Sequence, residues 1–295
     1  MGNTGSQPKN KTGKKVLTQK LENSKKTGVL SLREHKLDTI PNQVFDITNL
    51  TSLDVSTNNL KTLGEPTKIS KLSNLKSFNC EDNKLQAGTL SSISTLTKLQ
   101  NLSAGSNQLG KPLVLVVDEQ RKTIESLPNT LPSSLKSIKL DNNSFSAIPP
   151  QICSSKLTKL VKLDFSKNNL ASIPPEISNL TSLTELNLDS NAIVSLPSDL
   201  GKLSKLKSLS LQNNQITVPT KNTVFSPETN PQPIPPEVFR DTSVVDLNLH
   251  GNRLTSTQLN ELFDGYHDFL ERRKKIKSKG IDGGALTDLD VCGLD

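Results

Sequence analysis

The sequence predicts an α/β solenoid: a curved parallel sheet on the concave face, short helices and turns on the convex face, and a helical cap at the C-terminal end. Three observations predict it. Eight asparagines, Asn58, Asn83, Asn107, Asn143, Asn168, Asn191, Asn214 and Asn252, hold one place in a recurring phrase, Leu-x-x-Leu-x-Leu-x-x-Asn-x-Leu. Their successive spacings are 25, 24, 36, 25, 23, 23 and 38 residues, so a unit of 23 to 25 is widened twice by inserts, near 110–122 and 219–233. The register runs through residues 28–255 with no break in composition that outlasts an insert. Units of ~20 to 29 residues mark stacked-repeat architectures. A unit this short cannot bury its own apolar face and has to stack on its neighbours.

Each element follows from the phrase. In Leu-x-Leu the two apolar residues point to one side, as alternate residues of a strand do. Leu53 and Val55 precede Asn58, Leu163 and Phe165 precede Asn168, Leu186 and Leu188 precede Asn191, and Leu209 and Leu211 precede Asn214. A first copy, Leu30 and Leu32, carries His35 in place of the asparagine, which makes about nine units. The asparagine amide suits the turn after the strand, where it can satisfy backbone groups that would otherwise be buried unpaired. Several units then continue into Ile-Pro or Leu-Pro, such as Ile173-Pro174 and Leu196-Pro197. Proline fixes φ there and starts a short helical or irregular return on the outer side.

The ends need covers, because a stack exposes an apolar edge at both termini. Leu259, Leu262, Phe263, Tyr266, Phe269 and Leu270 recur at helical intervals, which predicts a capping helix over 256–277 inside a segment, 256–280, that ends in a basic run. Residues 1–27 read as a flexible basic segment, and residues 281–295 as a flexible acidic tail.

On these residues the chain resembles the intracellular leucine-rich-repeat proteins from about 28 to 257. Met1-Gly2-Asn3, Lys26-Thr27-Gly28-Val29, Gly265-Tyr266 and Glu271-Arg272 with its following lysines extend the likeness to both ends. The resemblance implies a non-catalytic scaffold for protein partners, with a small GTPase or a phosphatase as the partner class; no cofactor and no metal are expected.

Residues 1–27 lack the apolar stretch of roughly 7 to 15 residues that a secretory signal needs, and no paired cysteines flank the repeats. A cytoplasmic location is expected. Met1-Gly2-Asn3-Thr4-Gly5-Ser6 fits the N-myristoylation pattern at Gly2. One myristoyl chain holds a membrane only marginally, and a polybasic stretch is a common second signal. Lys9, Lys11, Lys14 and Lys15 are the expected contacts with an anionic surface. Residues 1–27 carry a net +6 and residues 271–280 a net +5, against −4 beyond Gly280, so the overall +7 leaves the repeats with no net charge. Basic ends alone do not make a nucleic-acid binder, since there is no aromatic stacking platform and no module signature.

Residues between and after the inward leucines face outward on the concave side. Glu34, Asp54, Glu81, Asp82, Asp141, Asp164, Lys167, Asp189 and His250 are therefore the candidate partner-binding residues. Together with Arg33 and Lys139 they give seven acids against three bases, a mildly acidic surface suited to a basic partner patch. Catalysis is not expected: the three histidines, His35, His250 and His267, are dispersed, and the glycines before Lys14 do not have phosphate-loop spacing.

Overall fold

The computed structural model describes residues 11–117, 120–218, 224–226, 229–278 and 291–294. Nine three-residue strands form one parallel sheet: β1 (Val29–Ser31), β2 (Ser52–Asp54), β3 (Ser77–Asn79), β4 (Asn101–Ser103), β7 (Ser137–Lys139), β8 (Lys162–Asp164), β9 (Glu185–Asn187), β10 (Ser208–Ser210) and β11 (Asp246–Asn248). They lie side by side in chain order, a solenoid. Between β4 and β7 the first insert forms an antiparallel hairpin, β5 (Leu113–Val117) and β6 (Gln120–Ile124), apart from the main sheet.

Register places the central residue of every strand level with the next: Leu30, Leu53, Phe78, Leu102, Ile138, Leu163, Leu186, Leu209 and Leu247 make one row. The residue two places on in each repeat makes a second row, and no member of either row is more than 2% exposed. The core is thus a continuous apolar spine. Complete burial of a Leu-sized side chain contributes ~1.5 to 3 kcal/mol, and that gain is made only when the neighbouring coil is present.

The convex side is built from short returns. Turns of 3₁₀ type at Asn42–Asp46, Ser91–Thr95, Pro175–Asn179 and Ser198–Lys202 and the short helices α2 (Pro66–Ile69) and α3 (Pro236–Arg240) make up these returns. Pro174 and Pro197 precede two of these turns in extended geometry, with φ of −71° and −75°, values that a pyrrolidine ring enforces.

Both ends differ from the sequence expectation. Residues 11–27 are not a flexible segment: they form helix α1 (Lys11–Thr27), whose Leu21 and Ser24 are buried with Leu17 packed beside them. These three follow helical spacing and lie against β1, covering the N-terminal edge of the stack. Gly28, at φ +70°, ends the helix with its N–H donating to the Ser24 carbonyl (2.8 Å).

At the other end the single helix expected over 256–277 is two, α4 (Ser256–Leu262) and α5 (Tyr266–Ser278). Gly265, at φ +81°, stands between them, and a Cβ there would sit 3.0 Å from the Pro236 carbonyl oxygen. The turn lets Phe239, Phe263, Tyr266 and Phe269 pack as one aromatic cluster, with edge-on contacts such as Phe239–Tyr266 at 5.6 Å. The expected basic run is partly internal too. Arg272 donates to the carbonyls of Phe239 and Val244 and Arg273 to that of Val245, so these guanidiniums close the end of the last repeat. Burial lowers the Arg272 pKa.

The tail is not flexible throughout. Residues 279–290 lie outside the described residues, but Val291–Gly293 form a tight turn with Cys292 left-handed (φ 72°), and Cys292 and Leu294 are buried. The Leu249 N–H donates to the Cys292 carbonyl (2.9 Å), as the Leu211 N–H does to the Asn248 carbonyl one repeat earlier. Cys292 thereby stands in for the next strand of the sheet.

Candidate interaction face

The turn after each strand is one repeated device. In every repeat from the second on, the asparagine Oδ1 accepts a backbone N–H from the preceding coil: His35 and Leu37 to Asn58, Leu60 to Asn83, Leu85 to Asn107, Leu109 to Asn143, Phe145 to Asn168, Leu170 to Asn191, Ile193 to Asn214, and Ile216 to Asn252. The amide nitrogen donates to carbonyls of both coils; for Asn168 these are Leu140, Phe165 and Ser166 at 3.0 to 3.1 Å. One side chain thus satisfies four backbone groups. His35 takes the position at the N-terminal end, with Nδ1 2.6 Å from the Arg33 carbonyl.

Immediately before each asparagine the backbone turns left-handed. Thr57, Asp82, Ser106, Asn142, Lys167, Ser190 and Asn213 have φ between 51° and 55°, and Gly251 has φ 72°. Glu34, before His35, has φ 60°. The left-handed residue swings the strand into the return and aims its side chain outward at the rim of the sheet. Glu34, Asp82 and Lys167 are therefore exposed rim residues and not members of the sheet face proper.

A second device sits inside the face. Asp54 and Asp164 each accept the N–H two residues on, from Ser56 and Ser166, at 2.9 Å, and Asn79, Asn187 and Asn248 do the same. One carboxylate oxygen of Asp54 and of Asp164 is thus committed to holding the turn. Asp189 is more fully engaged: its Oδ1 accepts the Ser210 hydroxyl (2.6 Å) and the Gln212 N–H (2.7 Å).

The middle of the sheet brings Glu81, Lys139, Asp141, Asp164 and Asp189 together. Lys139 bridges back to Glu81 at 3.0 Å. Asp141 stands beside it with Oδ1 buried and without a hydrogen-bond partner among the described residues. Burial first, and then the Asp164 charge, raises the Asp141 pKa; burial likewise raises that of Asp189 against its hydrogen bonds to Ser210 and Gln212. His250 stands apart at the C-terminal edge, its ring Nδ1 3.0 Å from the Gly293 carbonyl, so the tail partly occupies it.

Counting outward from the leucines found the residues after each strand centre and missed those before. Lys162 pairs with Glu185 at 2.8 Å, and Asp246 accepts from the Ser208 hydroxyl at 2.9 Å. With Lys139, Asp164 and Ser210 they line a depression of about 400 Å³ on the sheet face. The alternation that places Leu163 inward places Lys162 outward as firmly as Asp164, so the signal was present. Gly2 and Lys9 lie outside the described residues. Lys11 and Lys14 fall on the first turn of α1, and Lys15 is exposed on that helix. No helix among the described residues is long and apolar enough to cross a membrane.

Residues 133–193 match the leucine rich repeat family. Over 164 residues, 52% of this chain, the sequence is 34% identical to a Ras guanine nucleotide exchange factor V of Dictyostelium discoideum, of which it spans 8%. A leucine-rich-repeat protein of Leptospira interrogans superposes with a TM-score of 0.57 at 29% identity, covering 77% of this chain and 55% of that one. An internalin of Listeria monocytogenes superposes with a TM-score of 0.59 at 24% identity, covering 83% and 61%, and bears on the fold alone. The chain thus spans under two thirds of each of these relatives.

Proposed function

We propose that this leucine-rich-repeat solenoid is a non-catalytic scaffold that binds a basic segment of a protein partner across its sheet face and is held at the cytosolic side of a membrane by its N-terminus. Leucine-rich-repeat solenoids generally serve as protein-interaction surfaces. The observation that carries the reading for this chain is the central acidic group. Asp141, Asp164, Asp189 and Glu81 gather four carboxylates on a rigid sheet around Lys139. A lysine or arginine brought by a partner would meet this excess of negative charge at half-buried carboxylates, where charge-assisted bonds are strong. The face is fixed by the asparagine turns, so little ordering is needed on this side of the complex.

The tether rests on sequence. The Gly2 motif is followed by Lys9, Lys11, Lys14 and Lys15, and both termini resemble those of leucine-rich repeat-containing protein 57, an intracellular protein of the same layout. A myristoyl chain gives an association constant of only ~10⁴ M⁻¹, and a lysine near an anionic surface adds ~1 kcal/mol; both signals are needed. Gly2→Ala should move the protein to the soluble fraction, and replacing the four lysines by glutamine should release even the acylated form. Equal membrane recovery of wild type and Gly2→Ala would end the tether.

A second reading is favoured by the likeness to a Ras exchange factor: a soluble regulatory subunit in a small-GTPase or phosphatase pathway. Under it, partner capture is unchanged by Gly2→Ala and by the lysine replacements.

A further inference from the structure

We propose that the hairpin of the first insert is a self-association element, and that its β5 edge pairs with the β5 edge of a second copy of this chain about a twofold axis. The two-stranded sheet stands outside the main sheet with no third strand among the described residues, and a lone hairpin is marginally stable in water. Its root is firmly held. The Gly110 N–H donates to Ser126 Oγ at 2.7 Å and the Gly88 N–H to the Glu125 carbonyl at 2.9 Å, so the hairpin projects from a fixed base.

The two edges differ in sequence. β6 is Gln-Arg-Lys-Thr-Ile and β5 is Leu-Val-Leu-Val-Val. Charged residues on an edge strand oppose strand addition, whereas an uncharged apolar edge without proline invites it. Arg121 and Lys122 thus guard β6, and β5 is left open. Edge-to-edge pairing through β5 also keeps the two basic β6 strands on the far sides of a four-stranded sheet, ordered β6–β5–β5–β6.

The register is set by the hairpin itself. Val117 pairs with Gln120 and Leu113 with Ile124. A ladder closed on a two-residue connection starts from a hydrogen-bonded pair, so residues 113, 115 and 117 bond across to β6, while 114 and 116 turn their backbone groups to the open edge. In a twofold pairing centred on Leu115, Val114 of each copy lies opposite Val116 of the other and exchanges both backbone bonds with it. The two Leu115 residues then form the close, non-bonded pair. Identical antiparallel strands close in this way and recruit no third copy. Five residues a side bury far less than the ~1,200 Å² of a stable standard interface, so the contact is weak and concentration-dependent.

The test is disulfide trapping in the full chain. The native cysteines, Cys80, Cys153 and Cys292, are 0%, 2% and 2% exposed, so an introduced thiol reports alone. Leu115→Cys, oxidised with oxidised glutathione at high protein concentration, should give a disulfide-linked dimer, because a close antiparallel pair falls within the Cα separation a disulfide spans. Thr123→Cys, exposed on β6, should not. Val116→Pro removes an outward N–H without touching the β5–β6 ladder, and adding it to Leu115→Cys should abolish the cross-link while the melting curve of the solenoid stays in place. A monomeric Leu115→Cys protein, or equal cross-linking of Leu115→Cys and Thr123→Cys, overturns the proposal; in the first case the edge is left for a strand of a different protein.

Discussion

The carboxylate of Asp141 occupies the space that a side chain on Gly105 would fill: a Cβ built on Gly105 would lie 2.3 Å from Asp141 Oδ1. The two are neighbours on adjacent coils, with the Ser106 N–H donating to the Asp141 carbonyl at 2.8 Å. Gly105 is therefore glycine for room on the sheet face and not for a left-handed turn. Gly105→Ala should push the Asp141 carboxylate off its position and destabilise the protein by about 1 kcal/mol, the cost of an off-rotamer side chain, because the atoms it meets are the movable end of that side chain. Adding Asp141→Ala should recover most of the loss, and urea titration of both single variants and the double variant measures the coupling. Strictly additive losses would show that the two side-chain positions do not compete.

The asparagine turns carry a second expectation. Asn168→Leu leaves the Phe145 N–H without a partner and takes one of two donors from each of the carbonyls of Leu140, Phe165 and Ser166, which keep Asn143 Nδ2, Asn191 Nδ2 and the Asn142 N–H. Each buried group left unpaired costs ~1 to 3 kcal/mol, so the urea midpoint should fall sharply for Asn168→Leu, and also for Asn191→Leu. Unchanged midpoints in both would remove the asparagines from the account of stability.

A pH dependence follows from Asp141. Burial and the neighbouring Asp164 charge raise its pKa above the ordinary carboxylate value, so the folded protein holds this proton more tightly than the unfolded chain does. The stabilisation linked to that proton is complete below the unfolded value of ~3.9 and is lost as pH rises through the higher folded one. At neutral pH the ionised Asp141 is a liability. Asp141→Asn should raise Tm at pH 7, and the gain should shrink as pH falls through the carboxylate range. A gain independent of pH, or a lower Tm at pH 7, would contradict the assignment.

The C-terminal clip is tested by truncation. Ending the chain at residue 290 uncovers the Leu249 N–H and the Tyr266 hydroxyl, 3.8 Å from Cys292 Sγ. Amide exchange should quicken in β11 and leave β2 to β9 unchanged, since a solenoid frays from its ends. Full protection in β11 of the truncated chain would make the clip dispensable.

The sheet, its strand order and the asparagine turns were legible because one unit repeats, so an error in one copy is corrected by the others. What occurs once was not. Helix α1 hides its apolar stripe of Leu17 and Leu21 among lysines and closes it with a buried serine, Ser24, so the segment reads as solvated. The left-handed residues were invisible because only Gly251 of the set is glycine; Lys167 and Asp82 adopt that conformation because the coils on either side fix it. The tail clip depends on Cys292 and Leu294 meeting β11 across more than forty residues of chain, and no local pattern encodes that. On the face itself, the outward residues after each strand centre were read and Lys162, Glu185 and Asp246 were not, though the same alternation specifies both sets.

The claim that the acidic sheet face is the partner-binding surface is tested most directly by comparing the partners captured by wild type and by a Glu81→Lys, Asp141→Lys, Asp164→Lys variant, each first confirmed folded by circular dichroism. The account predicts a set of proteins retained by wild type, released by high salt and absent from the variant. Capture of the same set by both, with the same salt dependence, would place the binding surface elsewhere on the molecule.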